Sequence, residues 1–194
     1  MEAAAKRNKP AQRLPGVEGV WVFIGADMFF FAVLFVSFML ERFKSPEVFE
    51  VARRTLDPNF GGINTLILLT SSWFVVIGMS AVRKNLRSMS RACLSLAWLC
   101  GFGFGVVKFF EYGEKINHGI TLTTNDFFMY YYIFTGIHFL HLIIGLCVLA
   151  YLIARLGKNK PLSEDLPLLE GGATYWHMVD LLWIVLFSIL YLIK

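Results

Sequence analysis

The sequence has few charged residues and few cysteines, and each shortage excludes a class of protein. Charged residues make up 16% of the 194 residues and hydrophobic residues 57%, against roughly 45–50% apolar residues in a soluble domain. The three cysteines, Cys93, Cys100 and Cys147, lie in apolar runs without metal-ligand spacing, so we interpret them as small core residues. The net charge of +4 lies mostly between apolar blocks, which argues against nucleic-acid binding. The sequence therefore indicates an integral membrane protein.

Five apolar segments are long enough to cross a membrane as helices, which takes about 20 residues each. The predicted spans cover residues 17–40, 63–82, 92–110, 127–154 and 173–193. Turn signals separate them: Ser45-Pro46, Asp57-Pro58, Gly61-Gly62, Gly157 with Pro161, and Gly171-Gly172. We therefore predict an all-α integral membrane protein, with a five-transmembrane-helix bundle as its single domain (residues 17–194) after a tail of residues 1–16.

The distribution of lysine and arginine predicts the orientation of this bundle. The side of the N-terminus carries eleven of these residues: Lys6, Arg7, Lys9, Arg13, Arg83, Lys84, Arg87, Arg91, Arg155, Lys158 and Lys160. The opposite side carries six: Arg42, Lys44, Arg53, Arg54, Lys115 and Lys194. Because positive loops stay in the cytoplasm, we expect a cytoplasmic N-terminus and a C-terminus outside.

A few ionisable residues lie inside the spans, where a charged side chain commonly costs ~2.5–3.5 kcal/mol. Asp27 lies ~15 Å into the first span, near the midplane. Two interpretations stay open for it: a proton-exchanging or partner-binding carboxyl, and a protonated carboxyl hydrogen-bonded within the bundle. Lys108 and Glu111 lie near a helix end, from which we expect their side chains to reach the membrane interface.

Histidines mark the last two spans. His138 and His141 are spaced i, i+3, as are His177 and Asp180, so each pair shares a helix face. Two histidines on one helix do not supply the opposed axial ligands of a haem, and His138 and His177 lie at different depths. We therefore interpret the histidines as hydrogen-bonded between helices or facing lipid headgroups, and we predict no metal or haem site.

The depths of Asp27 and of the histidines in the fourth span coincide within a turn, because the two helices run in opposite directions. A direct contact would satisfy two costly groups at once. We therefore predict that Asp27 contacts His138 or His141, with the deeper His141 preferred; the alternative is that each pairs elsewhere, for example with Thr135.

Glycines and aromatic residues predict helix contacts and membrane anchors. Gly101 and Gly105 form a GxxxG pattern, which permits close helix contact in an apolar span. Trp21, Tyr175 and Trp176 lie near span ends, where tryptophan and tyrosine are the usual interfacial anchors.

Two motifs resemble subunit III of the haem–copper respiratory oxidases. The fourth span, from Thr135-Gly136-Ile137-His138 through His141 to Gly145, is similar to the family's Thr-Gly-x-His-x-x-His-x-x-x-Gly. The last span, with Tyr175-Trp176-His177 followed by Val179-Asp180 and Trp183, is similar to Tyr-Trp-His-Phe-Val-Asp-x-x-Trp. Shorter matches are Asn64-Thr65, Ser71-Ser72 and Glu111-Tyr112. The resemblance covers about residues 17–193.

The resemblance implies a role without redox chemistry in this chain. Subunit III packs on the catalytic subunit, which carries the haems and copper, and supports its durability and proton uptake. The implied partners are that catalytic subunit and membrane lipids, with phospholipid as the small ligand and no cofactor bound by this chain. The implied location is a bacterial inner membrane.

Some residues depart from the usual family pattern. Asp27 replaces a membrane-embedded glutamate, Lys108 replaces a glutamine and Phe139 replaces a glycine. The chain also lacks the first two helices of the seven-helix form, and in that form those helices shape a lipid-filled cleft. Several departures are closer to the branch encoded with bacterial nitric oxide reductases, so an accessory role there is one alternative. A small haem-binding electron carrier is an alternative of another class. A transporter is disfavoured because five helices show no inverted repeat.

Overall fold

The computed structural model describes residues 18–158 and 161–193, and most of these are helical. The predicted tail, residues 1–16, lies outside the described residues. The helices are α1 (Glu18–Lys44), α2 (Pro46–Arg54), α3 (Pro58–Arg83), α4 (Arg87–Asn117), α5 (Asp126–Leu156) and α6 (Leu162–Phe187), and a π-helical turn, Ser188–Leu192, follows α6. Among the described residues, five helices are long and apolar enough to cross a membrane, as predicted.

Four of the spans form a ring around a common core. Helix α3 packs against α4, α4 against α5, α5 against α6, and α6 closes the ring on α3. Helix α1 lies against α5 and α6 with few contacts and is the least buried span, whereas α6 is the most buried. The side chains of α6 therefore reach most of the interior.

Local capping explains where two of the spans begin. The Asp57 side chain accepts a hydrogen bond from the backbone N–H of Asn59 at the start of α3, and Pro58 occupies the first turn. The Asn125 side chain accepts one from the N–H of Phe128 at the start of α5. These side chains satisfy backbone donors that a helix start leaves free, so the turn signal at Asp57-Pro58 is confirmed.

Two of the predicted turns are wrong. Gly61-Gly62 lies inside α3 and Gly171-Gly172 inside α6, which begins at Leu162 rather than near residue 173. The reason is close packing: a Cβ on Gly61 would lie 2.6 Å from a ring carbon of Phe187, and one on Gly172 would lie 2.6 Å from a methyl carbon of Leu152. Gly61 and Gly172 therefore admit neighbouring side chains instead of turning the chain.

Helix α2 was not predicted, since it is short and carries four charged residues. Phe49 and Ala52 are buried, and the Phe49 ring packs edge-on against Phe38 and Phe127. Arg53 donates to Glu50 and to the carbonyl oxygen of Tyr191, so α2 is tied to the end of the last span. Hydrogen bonds from Arg53 and then Arg54 lower the pKa of Glu50 to about 2.

The cysteines have different environments. Cys93 and Cys100 are half-buried, whereas Cys147 is exposed on α5. The interpretation of Cys147 as a core residue is therefore wrong.

Candidate functional site

Helices α1 and α5 meet through a carboxyl–imidazole pair. Asp27 Oδ1 lies 3.0 Å from His141 Nε2, and 10% of each side chain is exposed. The other ring nitrogen, Nδ1, lies 2.8 Å from the carbonyl oxygen of Ile137. Because a carbonyl only accepts hydrogen bonds, Nδ1 carries a proton, and Nε2 faces the carboxyl. The predicted contact is confirmed with His141 as the partner, and its functional role stays a prediction.

We expect Asp27→Asn to leave the stability of the chain nearly unchanged, because the asparagine N–H can donate to His141 Nε2. Asp27→Leu should lower the free energy of unfolding by about 1–3 kcal/mol, since it leaves a buried nitrogen without a partner. Unfolding of the purified chain in detergent micelles measures both. Ser37→Ala on the same helix is the control, because the Ser37 hydroxyl donates within α1 to Val33. An asparagine variant as unstable as the leucine variant would contradict this account.

His138 lies one turn from His141 in a different environment. It is 1% exposed, its ring centroid lies 5.3 Å from that of Trp183, and it meets the Phe104 ring edge-on at 5.8 Å. Within the described residues, neither of its ring nitrogens has a hydrogen-bond partner. His138 therefore packs among aromatic rings and is not the partner of Asp27.

Tyr112 and Thr135 tie α4 to α5. The Tyr112 hydroxyl donates to Thr135 Oγ1, and the Thr135 hydroxyl donates to the carbonyl oxygen of Tyr131 at 2.5 Å. Thr135 thus pairs with a tyrosine rather than with a histidine.

A buried ion pair joins α4, α5 and the end of α6. Lys108 Nζ lies 2.8 Å from Glu111 Oε2, and these side chains are 3% and 10% exposed. Glu111 Oε1 accepts hydrogen bonds from the hydroxyls of Tyr131 at 2.7 Å and Tyr191 at 2.8 Å. Lys108 also donates to the Tyr191 hydroxyl at 3.1 Å and lies 4.7 Å from the centroid of the Trp183 ring, a cation–π distance. The prediction that both charges reach the interface is wrong, because these partners hold them in the core.

Trp176 is fully buried at the centre of the bundle, so its prediction as an interfacial anchor is wrong. Its ring lies against Gly101 of α4 and Gly145 of α5, where an added Cβ would come within 2.5 Å and 2.8 Å of ring carbons. Its Nε1 donates to Ser71 Oγ at 3.1 Å, and the Ser71 hydroxyl donates to the carbonyl of Ala97. The indole thus links α6 to the three other helices of the ring.

The remaining motif residues also make contacts between helices. The Trp183 Nε1 donates to Thr65 Oγ1 at 3.0 Å, which joins α6 to α3. Tyr175 is buried, against the prediction of an anchor, and its hydroxyl donates to the carbonyl oxygen of His141. A Cβ on Gly105 would make ordinary contacts with α5 at 3.7 Å. The predicted helix-contact role of the GxxxG pattern is confirmed most clearly at Gly101.

His177 lies on the outer surface of the bundle. Its Nδ1 is 2.7 Å from Ser72 Oγ and 3.8 Å from Asp180 Oδ2. The His177 side chain is 38% exposed, whereas that of Asp180 is 5% exposed. The common face predicted for His177 and Asp180 is confirmed, and it belongs to a different part of the bundle from the Asp27–His141 pair.

An apolar groove of about 530 Å³ lies between α1, α5 and α6. Its walls include Val20 of α1, Ile144, Cys147 and Tyr151 of α5, and Leu168 and Gly172 of α6. The groove presents hydrocarbon side chains, which suits an acyl chain.

The sequence did not predict that the Lys108 side chain is buried, or that tyrosines surround it. One signal was present: Lys108 and Glu111 are opposite charges at i, i+3, so they share a helix face in an apolar span. The described residues contain no group of three histidine, cysteine, aspartate or glutamate side chains that could hold a metal ion.

Comparisons with known proteins agree with the two motifs. A family model described as cytochrome c oxidase subunit III matches residues 12–194. Cytochrome c oxidase subunit 3 of Synechocystis is 30% identical over 176 residues, which are 90% of this chain and 74% of that protein. Subunit 3 of Bacillus sp. PS3 is 26% identical over 98% of this chain and 91% of its own length. The haem–copper oxidase subunit I+III of Aeropyrum pernix is 27% identical over 96% of this chain, which matches 25% of that longer protein.

Proposed function

Since the chain belongs to the cytochrome c oxidase subunit III family, we propose that it packs against the catalytic subunit of a haem–copper respiratory complex and supports the durability and proton uptake of that subunit. The proposal rests on one observation: the buried polar groups bond to one another between the helices of this chain. Asp27 of α1 pairs with His141 of α5, and Trp176 of α6 pairs with Ser71 of α3. The Glu111 carboxylate of α4 accepts hydrogen bonds from Tyr131 of α5 and from Tyr191 after α6. These contacts hold helices together, which suits an accessory membrane subunit.

The partner is supported by one of the relatives. The Aeropyrum protein is named as subunits I and III together, so in that protein the catalytic and accessory subunits form one polypeptide. We propose that the same two kinds of subunit associate here as separate chains.

The test is to purify a tagged catalytic subunit expressed with and without this chain. We expect the chain to co-purify. The complex without it should begin electron transfer at a similar rate, lose activity sooner during turnover and take up protons more slowly. Absence of co-purification, or an equal lifetime during turnover with and without the chain, would overturn the proposal.

We propose that this chain binds no haem or copper, in contrast to an electron carrier. His141 is bonded to Asp27, His138 packs on Trp183, and His177 bonds to Ser72, so the three imidazoles point to different surroundings. We expect the isolated chain to show no Soret band. A stoichiometric Soret absorbance or copper content would favour the electron carrier instead.

An accessory role for nitric oxide reductase is the second candidate. Asp27 and Lys108, two of the departures from the usual family pattern, both have buried partners: Lys108 forms an ion pair with Glu111, and Asp27 contacts the His141 imidazole. These residues are therefore built into the fold. Two measurements discriminate between the candidates. The first is whether the chain co-purifies with a tagged oxidase subunit or with a tagged nitric oxide reductase subunit. The second is whether loss of the chain shortens the time for which oxygen consumption or nitric oxide consumption persists.

We propose a cytoplasmic N-terminus and a bacterial inner-membrane location from the predicted excess of positive charge. A periplasm-dependent alkaline phosphatase fused after residue 194 should be active, and an inactive fusion would reverse the orientation.

We propose phospholipid as the small ligand of the groove between α1, α5 and α6. The hydrocarbon walls at Val20, Ile144 and Leu168 suit an acyl chain, and native mass spectrometry of the purified chain would detect a retained phospholipid.

A further inference from the structure

One surface of the bundle exposes an imidazole near the middle of the membrane. His177 lies about 23 Å by helical rise from both Leu162 and Leu192, at the middle of the last span. It belongs to a set of partly or fully exposed residues at helical spacing on α6, here called the α6 outer stripe: Glu170, Thr174, His177, Leu181, Ile184 and Ser188. Four of these six side chains are polar. Glu170 pairs with Arg83, and Thr174 and Ser188 donate to carbonyl oxygens within α6, so the mismatch with lipid lies at His177.

The other outward faces differ from this stripe. Near the middle of α1, α4 and α5, the exposed residues are apolar or glycine. Examples are Phe29 and Val33 on α1, Leu99 and Phe102 on α4, and Leu140 on α5. On α3, Thr70 is exposed, but its hydroxyl donates within the helix to the carbonyl oxygen of Leu66. Those faces suit hydrocarbon tails, whereas the α6 outer stripe carries the His177 imidazole.

The mismatch with lipid arises at Nε2 of His177. Nδ1 is engaged with Ser72, and within the described residues Nε2 makes no hydrogen bond. Nε2 is a donor if Nδ1 accepts the Ser72 proton, and an acceptor if Nδ1–H donates. Lipid tails offer no partner for either form, and the headgroups lie about 15 Å from the midplane.

We propose that the α6 outer stripe contacts a transmembrane helix of the catalytic subunit, and that His177 Nε2 hydrogen-bonds a polar side chain or carbonyl of that helix at mid-membrane depth. This inference rests on the proposed function, since it identifies the surface used by that partner. Neutral interhelical hydrogen bonds of this kind are common in membrane interfaces. The apolar faces of α1 and α4 contact lipid.

Photo-crosslinking locates the interface directly. Benzoylphenylalanine replaces Leu181 on the stripe and, as matched controls, Val33 on α1 and Leu99 on α4; these three side chains are 49%, 50% and 57% exposed. The chain is expressed with the tagged catalytic subunit and irradiated in native membranes. We expect Leu181 to crosslink to the catalytic subunit, and Val33 and Leu99 to give no protein adduct.

The outcomes separate the two proposals. Co-purification without a Leu181 crosslink to the catalytic subunit, or a Leu181 adduct with a second copy of this chain, overturns the stripe while the proposed function stands. Loss of co-purification for the unmodified chain overturns the proposed function and the stripe together.

The imidazole is tested by substitution. One interhelical hydrogen bond strengthens association about 3-fold to 20-fold, so His177→Leu should weaken retention on the catalytic subunit by that factor during detergent titration. His177→Gln should recover most of it. Unfolding of the isolated variants reports any internal loss from the Ser72 contact separately. Equal retention of wild type and His177→Leu would overturn the role of the imidazole.

Discussion

Replacing Lys108 by methionine should lower the free energy of unfolding by about 3–5 kcal/mol, the range for removing one partner of a buried ion pair. The variant leaves the Glu111 carboxylate in the core, where two tyrosine hydroxyls remain as donors but the compensating charge is lost. Unfolding of the purified chain in detergent micelles measures the change. The double variant Lys108→Met with Glu111→Gln should recover part of the loss, because it removes the uncompensated charge.

Lys44→Met is the matched control for this prediction. Lys44 forms an ion pair with Glu41 at the same i, i+3 spacing and a similar distance of 2.9 Å, but its side chain is 68% exposed. An exposed pair contributes little to stability, so this variant should unfold like wild type. Equal losses from the two lysine substitutions would show that burial of the Lys108 pair is not what determines its contribution.

Gly101→Ala and Gly145→Ala should each lower the free energy of unfolding by about 1–3 kcal/mol, the usual cost of overpacking a core. Each added methyl group would overlap the Trp176 ring, at 2.5 Å and 2.8 Å. The ring cannot withdraw freely, since its nitrogen is bonded to Ser71.

Two nearby glycines provide controls for these substitutions. A Cβ on Gly103 of α4 or on Gly136 of α5 would meet nothing within 4 Å. Alanine at these positions should leave stability unchanged or raise it by up to about 1 kcal/mol, because alanine favours helix over glycine. If all four alanine variants lost stability equally, helix flexibility rather than contact with Trp176 would be the cause.

The parts of the structure that depend on one helix at a time could be predicted from the sequence. Apolar length identifies a span, and counting residues from the span ends gives a depth. These two quantities were sufficient to place Asp27 at the depth of His138 and His141 across antiparallel helices. They could not choose firmly between His138 and His141, because that choice depends on how α5 is rotated about its axis.

Features that depend on a distant partner were missed. Lys108 stays in the core because the Tyr191 hydroxyl, after the end of α6, accepts a hydrogen bond from Lys108 and donates one to the Glu111 carboxylate. Gly171-Gly172 has the appearance of a turn in sequence, yet Gly172 makes room for Leu152. Trp176 lies near the start of the predicted span, residues 173–193. However, α6 begins at Leu162, and this earlier start places the indole at the centre of the bundle. Such positions are determined by packing, which a single segment does not encode.

The central position of α6 has a consequence for biosynthesis. Ribosomes make α1 to α5 before the helix that supplies Trp176, Trp183 and Tyr191. Until those side chains enter the bilayer, the Lys108–Glu111 pair has the Tyr131 hydroxyl but lacks that of Tyr191 and the Trp183 ring, and the space beside Gly101 and Gly145 has no indole. The bundle therefore completes its packing only after α6 has been translated and inserted.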